Sequence, residues 1–352
     1  MTSARATLSL LLLALIAGGC AKSSGVKGSP TIFPPPAKPL LWPPLPEQTR
    51  VKYVGQLVTS ADLKPKGNLG DQIGAAIFGK KATFSMLSPY AVCTDGNHRL
   101  FVADSNAQLV HVFDLSTRKY ERWVPNNPEK RFAQPVGVTW DPAGRLIVSD
   151  SVAAKLYVFD AHGKHVGEIG GGGLFIRPAG VTFDAPSQRL FVADTGAHQV
   201  IILSDHERLY VKLGARGSAA GQFNFPTNVA IDSHGRVYVS DSLNFRVQQF
   251  APDLKTVRLI GRKGDMPGYF SQPKGIAVDW QDHVWVVDAN FEAVQIFDQN
   301  GALLLDFGSE GRGRGEFWLP AGIFIDRTNR VYVADTYNRR VQVFEYVPEG
   351  PS

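Results

Sequence analysis

The chain has 352 residues, of which 44% are hydrophobic, and its formal net charge is +5. This length and composition support one large domain or two ordinary ones. The positive charge is spread along the chain without a long Lys/Arg block, so the composition does not favour nucleic acid as a partner.

Residues 1–19 have the pattern of an export signal. Arg5 precedes an apolar run from Leu8 to Ala17, which is too short to span a bilayer but suits the core of a signal peptide. Small residues then lead to Cys20, and this pattern resembles a bacterial lipoprotein signal, in which the cysteine after the cleavage site is lipidated. We therefore expect Cys20 to hold the protein in the cell envelope, with ordinary secretion as the alternative. Ala21 favours an outer-membrane position facing the periplasm in a Gram-negative organism.

A proline-rich segment follows the cysteine. Residues 20–49 contain Pro34, Pro35 and Pro36 among other prolines, a composition that predicts a stiff, extended tether. Only one other cysteine exists, Cys93, so no internal disulfide is expected. Small residues occupy the equivalent position later in the chain, and Cys93 is predicted to be a buried strand residue.

Two further segments precede the regular part of the chain. The run "VKYVGQLV" at Val51–Val58 reads as a strand without a sequence neighbour. Residues 61–87 match nothing else in the chain and predict an insertion. Within it, Asp71 can cap a short helix that ends at Gly79, with Ile73 and Ile77 on one face. We expect this segment either to fill a surface or to form a lid over one mouth of the domain.

From Pro89 onwards the chain repeats six times. The segment "VYVADTYNRRVQVF" at Val331–Phe344 has five earlier counterparts, each with an aspartate at the same place and a proline 15 or 16 residues before it. Units of 44 to 47 residues are typical of propeller blades. The repeated aspartates are Asp104, Asp150, Asp194, Asp241, Asp288 and Asp335.

Each repeat reads as four short antiparallel strands. In the fourth repeat, turn residues at Asp232–Gly235 and Asp241–Asn244 separate three apolar runs, and a fourth run follows at Thr256–Ile260. The sixth repeat lacks its fourth strand, because few residues follow Phe344. The sequence therefore predicts an all-β, six-bladed β-propeller of four-stranded antiparallel blades over residues 50–347, which the N-terminal strand Val51–Val58 closes.

These motifs resemble the NHL repeat, over about Pro89–Phe344. The resemblance rests on P-x-G-[VI]-x-x-D, V-x-V-[AS]-D-[ST] and R-V-Q-x-F, and it implies a propeller. Gln199 and Ala293 stand where Arg246 and Arg340 carry the motif's arginine. A related amidating lyase is zinc-dependent, but this chain lacks that family's cysteines and regularly placed pocket histidines. RNA binding, known for some NHL domains, is disfavoured by the export signal.

The carboxylates have two interpretations. The six repeated aspartates should ring one mouth of the channel and a second set the opposite mouth, which suggests calcium binding. Alternatively, each aspartate accepts backbone N–H bonds within its own turn, and we favour this reading because every blade has both. The second set comprises Asp95, Asp141, Asp184, Asp232, Asp279 and Asp326.

The tips of the loops between the second and third strands vary from repeat to repeat, and variable loops on a rigid scaffold are where binding usually resides. We expect these tips to engage an envelope protein, a peptide or a glycan. This interpretation favours a binding or scaffold protein over an enzyme and requires no metal or cofactor. The alternative is a metal-dependent hydrolase or lyase with its site in the central channel. The candidate binding residues are Asn106, Asn244, Phe245, Asn290, Phe291, Tyr337, Asn338 and Arg339.

Overall fold

The computed structural model describes residues 32–64, 82–126, 131–204 and 208–348. Within them the chain forms 25 strands and only short 3-10 turns. The first two strands are β1 (Leu41–Trp42) and β2 (Val51–Leu57). Among the described residues, no helix is long and apolar enough to cross a membrane.

Five blades are formed by consecutive strands, which we letter A to D from the channel outwards. Blade 1 contains β3 Pro89–Thr94, β4 Arg99–Asp104, β5 Leu109–Asp114 and β6 Tyr120–Trp123. Blade 2 contains β7 Pro135–Trp140, β8 Leu146–Asp150, β9 Lys155–Phe159 and β10 His165–Ile169. Blade 3 contains β11 Pro178–Asp184, β12 Arg189–Asp194, β13 Gln199–Leu203 and β14 Leu209–Leu213.

Blades 4 and 5 follow the same pattern, and blade 6 differs. Blade 4 contains β15 Pro226–Ile231, β16 Val237–Asp241, β17 Arg246–Phe250 and β18 Val257–Ile260. Blade 5 contains β19 Pro273–Val278, β20 Val284–Asp288, β21 Ala293–Phe297 and β22 Leu303–Phe307. Blade 6 takes only β23 Ile323–Ile325, β24 Arg330–Asp335 and β25 Arg340–Tyr346 from the end of the chain.

The N-terminal strand β2 is strand D of blade 6, as the sequence predicts. It pairs antiparallel with β25, from Val51 opposite Tyr346 to Leu57 opposite Val341. Strands A of neighbouring blades contact one another around the ring, including blade 6 with blade 1. The all-β, six-bladed propeller is therefore closed by strand pairing between the two ends of the domain. As a result, strand C of blade 6 is paired on both sides and is not an exposed sheet edge.

The described part of the proline-rich segment is attached to the propeller. Strand β1 pairs with β2 as a fifth strand of blade 6. The Trp42 ring lies 5.5 Å from Phe307 and 5.8 Å from Phe344, so it covers the interface between blades 5 and 6. Composition alone predicts a spacer here. The structure shows that Leu41 and Trp42 of this segment instead pack on the propeller as strand β1.

The insertion before blade 1 is described only at its ends. A 3-10 turn at Ser60–Leu63 is capped by Thr59, and the buried side chains of Leu63 and Met86 pack in one cluster with Leu57. Strand β2 ends opposite Val341, next to Asp335, so the insertion leaves the blade at the mouth that this aspartate rings. The predicted helix from Asp71 to Gly79 lies outside the described residues, as do the signal segment and Cys20.

The core lies between the blades. Each hydrophobic cluster combines residues of two or more blades; one of them joins Phe101 and Val112 of blade 1 to Val148 and Phe159 of blade 2. Neighbouring strands A approach closely at glycines, because a Cβ added at Gly137, Gly275 or Gly322 would meet the backbone of the next strand A. The packing holds the loops at each end of the ring in fixed positions.

Candidate functional site

The six repeated aspartates have a structural role. All are completely buried, and the carboxylate of each accepts hydrogen bonds from backbone N–H groups of the loop that precedes its own strand A, which we term the D–A loop. Asp150, for example, accepts from Ala133 N at 2.7 Å and from Gln134 N at 3.0 Å. Their oxygens are therefore occupied by the scaffold, which accounts for the repeat of the aspartate without a calcium ion. We call this end of the ring the aspartate mouth.

The carboxylates at the opposite mouth also have structural roles. Asp95, Asp141 and Asp232 each form an ion pair with the arginine four residues later. Asp232, His234 and Asp282 are close enough together to suggest a metal site. However, the Arg236 guanidinium lies against both carboxylates, and a fixed positive charge there opposes a second cation. Ser233 and His234 instead donate to Asp282, which fastens blade 4 to blade 5.

The channel between the mouths has an apolar wall. It holds a cavity of about 150 Å³ whose lining includes Val92, Val138, Val181 and Ile276. Among its lining residues the only titratable side chain is Cys93, which is buried; burial, reinforced by Asp95, raises the pKa of its thiol. The described lining therefore contains no imidazole or carboxylate to hold a catalytic metal.

Two of the predicted binding residues are engaged in the scaffold. The Nδ2 atom of Asn244 donates to Gly217 O at 2.9 Å and to Asp241 Oδ2 at 2.8 Å. In blade 6, Nδ2 of Asn338 makes the same bonds to Gly311 O and Asp335 Oδ2, at 2.8 Å and 2.9 Å. These Nδ2 groups fasten the loop between strands B and C to the D–A loop, which gives both asparagines a structural role.

The other predicted residues occupy the B–C loops at the aspartate mouth. Asn106, Asn290 and Arg339 are exposed, and Phe291 is half-buried. The backbone of Phe245 and Arg339 is left-handed, at φ 56° in both, which turns the chain into strand C. The same conformation recurs at this position in all six blades. The loop shape is thus constant and only the side chains differ between blades.

Cations lie over aromatic rings in blades 4 and 6 at this mouth, and Arg262 lies over Tyr269 in the loop before blade 5. Tyr337, 57% exposed, lies 5.5 Å from the ring of Trp318. The guanidinium of Arg312 lies 4.7 Å from the same Trp318 ring. In blade 4, Lys263 Nζ lies 5.0 Å from the Phe245 ring. These are cation–π distances.

We use the term blade 4–6 face for the surface formed by the B–C loops of blades 4, 5 and 6 and by the D–A loops that precede blades 5 and 6. Sequence reasoning identified Phe245 and Tyr337 but missed the partners Lys263, Arg312 and Trp318. Glycine-rich D–A loops such as "GRKGDMPG" and "GSEGRGRG" read simply as turns. The sequence did carry a signal for these partners, because a basic residue follows the first glycine of each loop within four positions. Whether such a residue lies over an aromatic ring depends on the fold, which the sequence pattern does not give.

The charge on this face is mostly positive. Its exposed cations are Arg262, Lys263, Arg312, Arg314 and Arg339. Its exposed anions are Asp265 and Glu310. Glu292 is buried beneath the tip of blade 5; burial raises the pKa of its carboxyl, although Leu319 donates a backbone hydrogen bond to it.

Comparisons with known proteins support the fold and the repeat. A family model described as "6-bladed beta-propeller" matches residues 276–347, and the NHL repeat model matches residues 223–250. The chain thus contains NHL repeat sequence within a six-bladed propeller.

Curated relatives are distant and are matched only in part. The chain is 24% identical over 207 residues to a Caenorhabditis elegans protein named "Probable peptidyl-alpha-hydroxyglycine alpha-amidating lyase", covering 53% of this chain and 55% of that protein. It is 26% identical over 194 residues to NHL repeat-containing protein 2 of Bos taurus, covering 46% and 27%. The matches thus span about half or less of these relatives.

Solved propellers share the architecture at low identity. Virginiamycin B lyase of Staphylococcus aureus aligns with a TM-score of 0.55 at 13% identity, covering 74% of this chain and 96% of that one. A gluconolactonase of Xanthomonas campestris aligns with a TM-score of 0.58 at 15% identity, covering 74% and 87%. At these identities the likeness concerns the fold alone.

Proposed function

We propose that this protein is a binding or scaffold propeller that engages an acidic protein, peptide or glycan through the blade 4–6 face. The observation that carries the proposal is the pairing of cations with the half-buried rings of Trp318 and Phe245, beside the exposed ring of Tyr337. Aromatic and arginine side chains are the groups that contribute most of the energy at recognition surfaces. Here they stand on loops that buried aspartates hold rigid, so little entropy is lost on binding.

The alternative, a metal-dependent hydrolase or lyase acting in the channel, receives less support. Similar propellers include a lyase and a gluconolactonase, but the described channel lining of this chain supplies small and apolar groups where a metal needs imidazoles or carboxylates. Metal analysis of the purified protein separates the two functions. A stoichiometric divalent ion that survives dialysis and is lost on substituting a channel residue would favour the enzyme.

The binding function is tested by crosslinking from defined positions in intact cells. We would replace Tyr337 by the photo-crosslinking residue p-benzoylphenylalanine and compare it with the same residue at Val152, an exposed tip of blade 2. We expect one discrete adduct from position 337, which weakens when Trp318→Ala and Arg312→Glu are added. Equal adduct patterns from positions 337 and 152 would contradict the proposal.

We further propose that Cys20 is lipidated and anchors the propeller in the bacterial envelope, in the outer membrane facing the periplasm where there is one. The support is the short apolar run that ends in "AGGC". Acyl chains contribute about 0.8 kcal/mol per buried methylene, so more than one chain makes attachment stable. Cys20→Ala should move the protein from the membrane fraction to the soluble fraction; unchanged membrane association in that variant argues against the anchor.

A further inference from the structure

Two polar side chains stand where strand A enters the channel from the aspartate mouth. They follow the repeated proline directly, as Tyr90 in blade 1 and Lys274 in blade 5. The pairing of strands A and B shifts register at this point in both blades, so each residue lies in a β-bulge. Bulges redirect side chains and are common beside functional sites. In the other blades this position holds Val136, Ala179, Thr227 and Ala321.

Lys274 and Tyr90 face each other across blade 6. The Nζ atom of Lys274 lies 6.0 Å from the centre of the Tyr90 ring. Between them blade 6 contributes only Ala321 and Gly322, and a Cβ added at Gly322 would meet Tyr90 O at 2.5 Å. The backbones therefore approach closely beneath the two side chains. At 6.0 Å the cation–π contact between the ammonium and the ring is at its limit.

These polar groups make no hydrogen bond within the described residues. The groups are the Tyr90 hydroxyl, the Lys274 ammonium and the amide of Asn228, which lines the channel, and none of them is a fully buried atom. All three side chains are half-buried. Burial lowers the pKa of Lys274, with Asp288 acting in the opposite direction, and burial raises the pKa of Tyr90. A partly desolvated cation that makes no hydrogen bond favours an anion in its vicinity.

The local charge selects the kind of anion. A single ammonium lies at this position, and the Asp288 carboxylate lies near enough to influence its pKa. Repulsion from Asp288 is smaller for a monoanion than for a phosphate dianion, so the arrangement favours a monoanion. A carboxylate also accepts the hydrogen bonds that an ammonium and a phenol can donate.

We propose that the aspartate mouth contains a carboxylate-binding site, in which Lys274 supplies the counter-charge, Tyr90 donates a hydrogen bond and the Asn228 amide contacts the portion of the ligand that enters the channel. The inference rests on the proposed function and gives it a ligand chemistry: an acidic ligand whose carboxylate inserts into the channel mouth. The carboxylate belongs either to a small organic acid or to the C-terminus of a peptide.

The test follows Lys274 directly by NMR in protein labelled with ¹³C-lysine. We would titrate acetate, inorganic phosphate and N-acetylated tetra-alanine with either a free or an amidated C-terminus. We expect a saturable shift at Lys274 with acetate or the free peptide, and none at Lys212, an exposed lysine of β14. Saturation by acetate identifies a small acid, and saturation by the free peptide alone identifies a peptide terminus.

Three results would overturn the site: equal responses of Lys274 and Lys212, tighter binding of phosphate than of carboxylate, or saturable binding of the amidated peptide as tight as that of the free peptide. Lys274→Met should weaken binding by about tenfold or more, because a charge-assisted hydrogen bond is lost. Tyr90→Phe removes only a hydroxyl, and it is the substitute test of carboxylate binding if the Lys274→Met variant folds poorly. Both variants should retain the crosslink from position 337 to a protein partner. Equal adduct patterns from positions 337 and 152, with carboxylate binding intact, would locate the fault in the proposed function instead.

Discussion

Blades 4 and 6 share one buried network and differ in what surrounds it. In both, an arginine on strand C donates Nε to the repeated aspartate, at 2.8 Å from Arg246 and 2.7 Å from Arg340. In both, a glutamine two residues later, Gln248 or Gln342, bonds to the same aspartate and to the D–A loop. Blade 6 adds a bond from Arg340 Nη1 to Gln56 Oε1 of β2.

Comparison of blades 4 and 6 separates the scaffold residues of a repeat from its variable residues. The network residues hold the loops in place, and blade 6 couples its network to the strand from the far end of the domain. The residues at the tips, Leu243 and Phe245 against Tyr337 and Arg339, make no bond to the network through their side chains among the described residues. Their identity is consequently free to serve recognition.

The largest effect is expected when the additional strand of blade 6 is removed. Deleting residues 51–58 exposes the edge of β25 and uncovers Trp285 and Phe344, which pack in the same cluster as Val51 and Tyr53. We expect loss of cooperative thermal unfolding and aggregation, measured by calorimetry and light scattering. Gln56→Ala keeps the strand and should cost only about 1 kcal/mol, the value of one hydrogen bond. A monomeric deletion variant with an unchanged midpoint would contradict the closure.

The second comparison removes the same arginine from both blades. Arg340→Met leaves Asp335 buried without its cation, and breaking a buried pair costs about 3–5 kcal/mol. Arg246→Met should cost somewhat less, because Arg246 makes no bond to a strand from the far end of the domain. Urea unfolding of the two variants measures the difference. Equal losses would show that the Gln56 contact adds nothing.

A third change tests how closely the strands A approach. A Cβ at Gly322 would meet Tyr90 O at 2.5 Å, whereas blade 4 already carries Asn228 at the same position. Gly322→Ala should therefore destabilise the protein by about 1–3 kcal/mol, as overpacking does. Asn228→Ala is the matched control and should be nearly neutral. Similar midpoints for both variants would mean that the backbone adjusts at little cost.

The smallest effect concerns blade 5, where Ala293 replaces the arginine. Burial raises the pKa of Asp288, although backbone hydrogen bonds from Ser271 and Gln272 oppose it. Protonation is thus favoured in the folded state, and this group's contribution to stability declines as pH rises from about 4, its unfolded pKa, through the raised value. Ala293→Arg should lessen that decline, because an arginine at this position lowers the pKa of the aspartate, as Arg340 does for Asp335. Its midpoint relative to the unaltered protein should rise with pH across this window; a constant difference would contradict the assignment.

The repeat, the six blades and the closure were predictable because each depends on local signals: a fixed period, alternation within strands and an unpaired terminal strand. The binding surface was predictable only in part. Asn244 and Asn338 varied from the other repeats and so looked functional, although their recurrence three residues after the aspartate in two blades indicated a structural bond. Lys274 and Trp318 escaped notice, since their importance comes from neighbours on other blades. No local pattern encodes those contacts.

The closing pair also sets a constraint in time. Residues 51–57 emerge early in synthesis, but their partner strand, at residues 340–346, is made last. Loop closure over nearly the whole domain is slow relative to local hairpin formation. Until it occurs, β2 has no partner and the last blade presents an open edge to other chains. During synthesis, therefore, the unpaired strand and the open edge are prone to aggregation until the last blade is completed, and the domain requires protection of these segments over that interval.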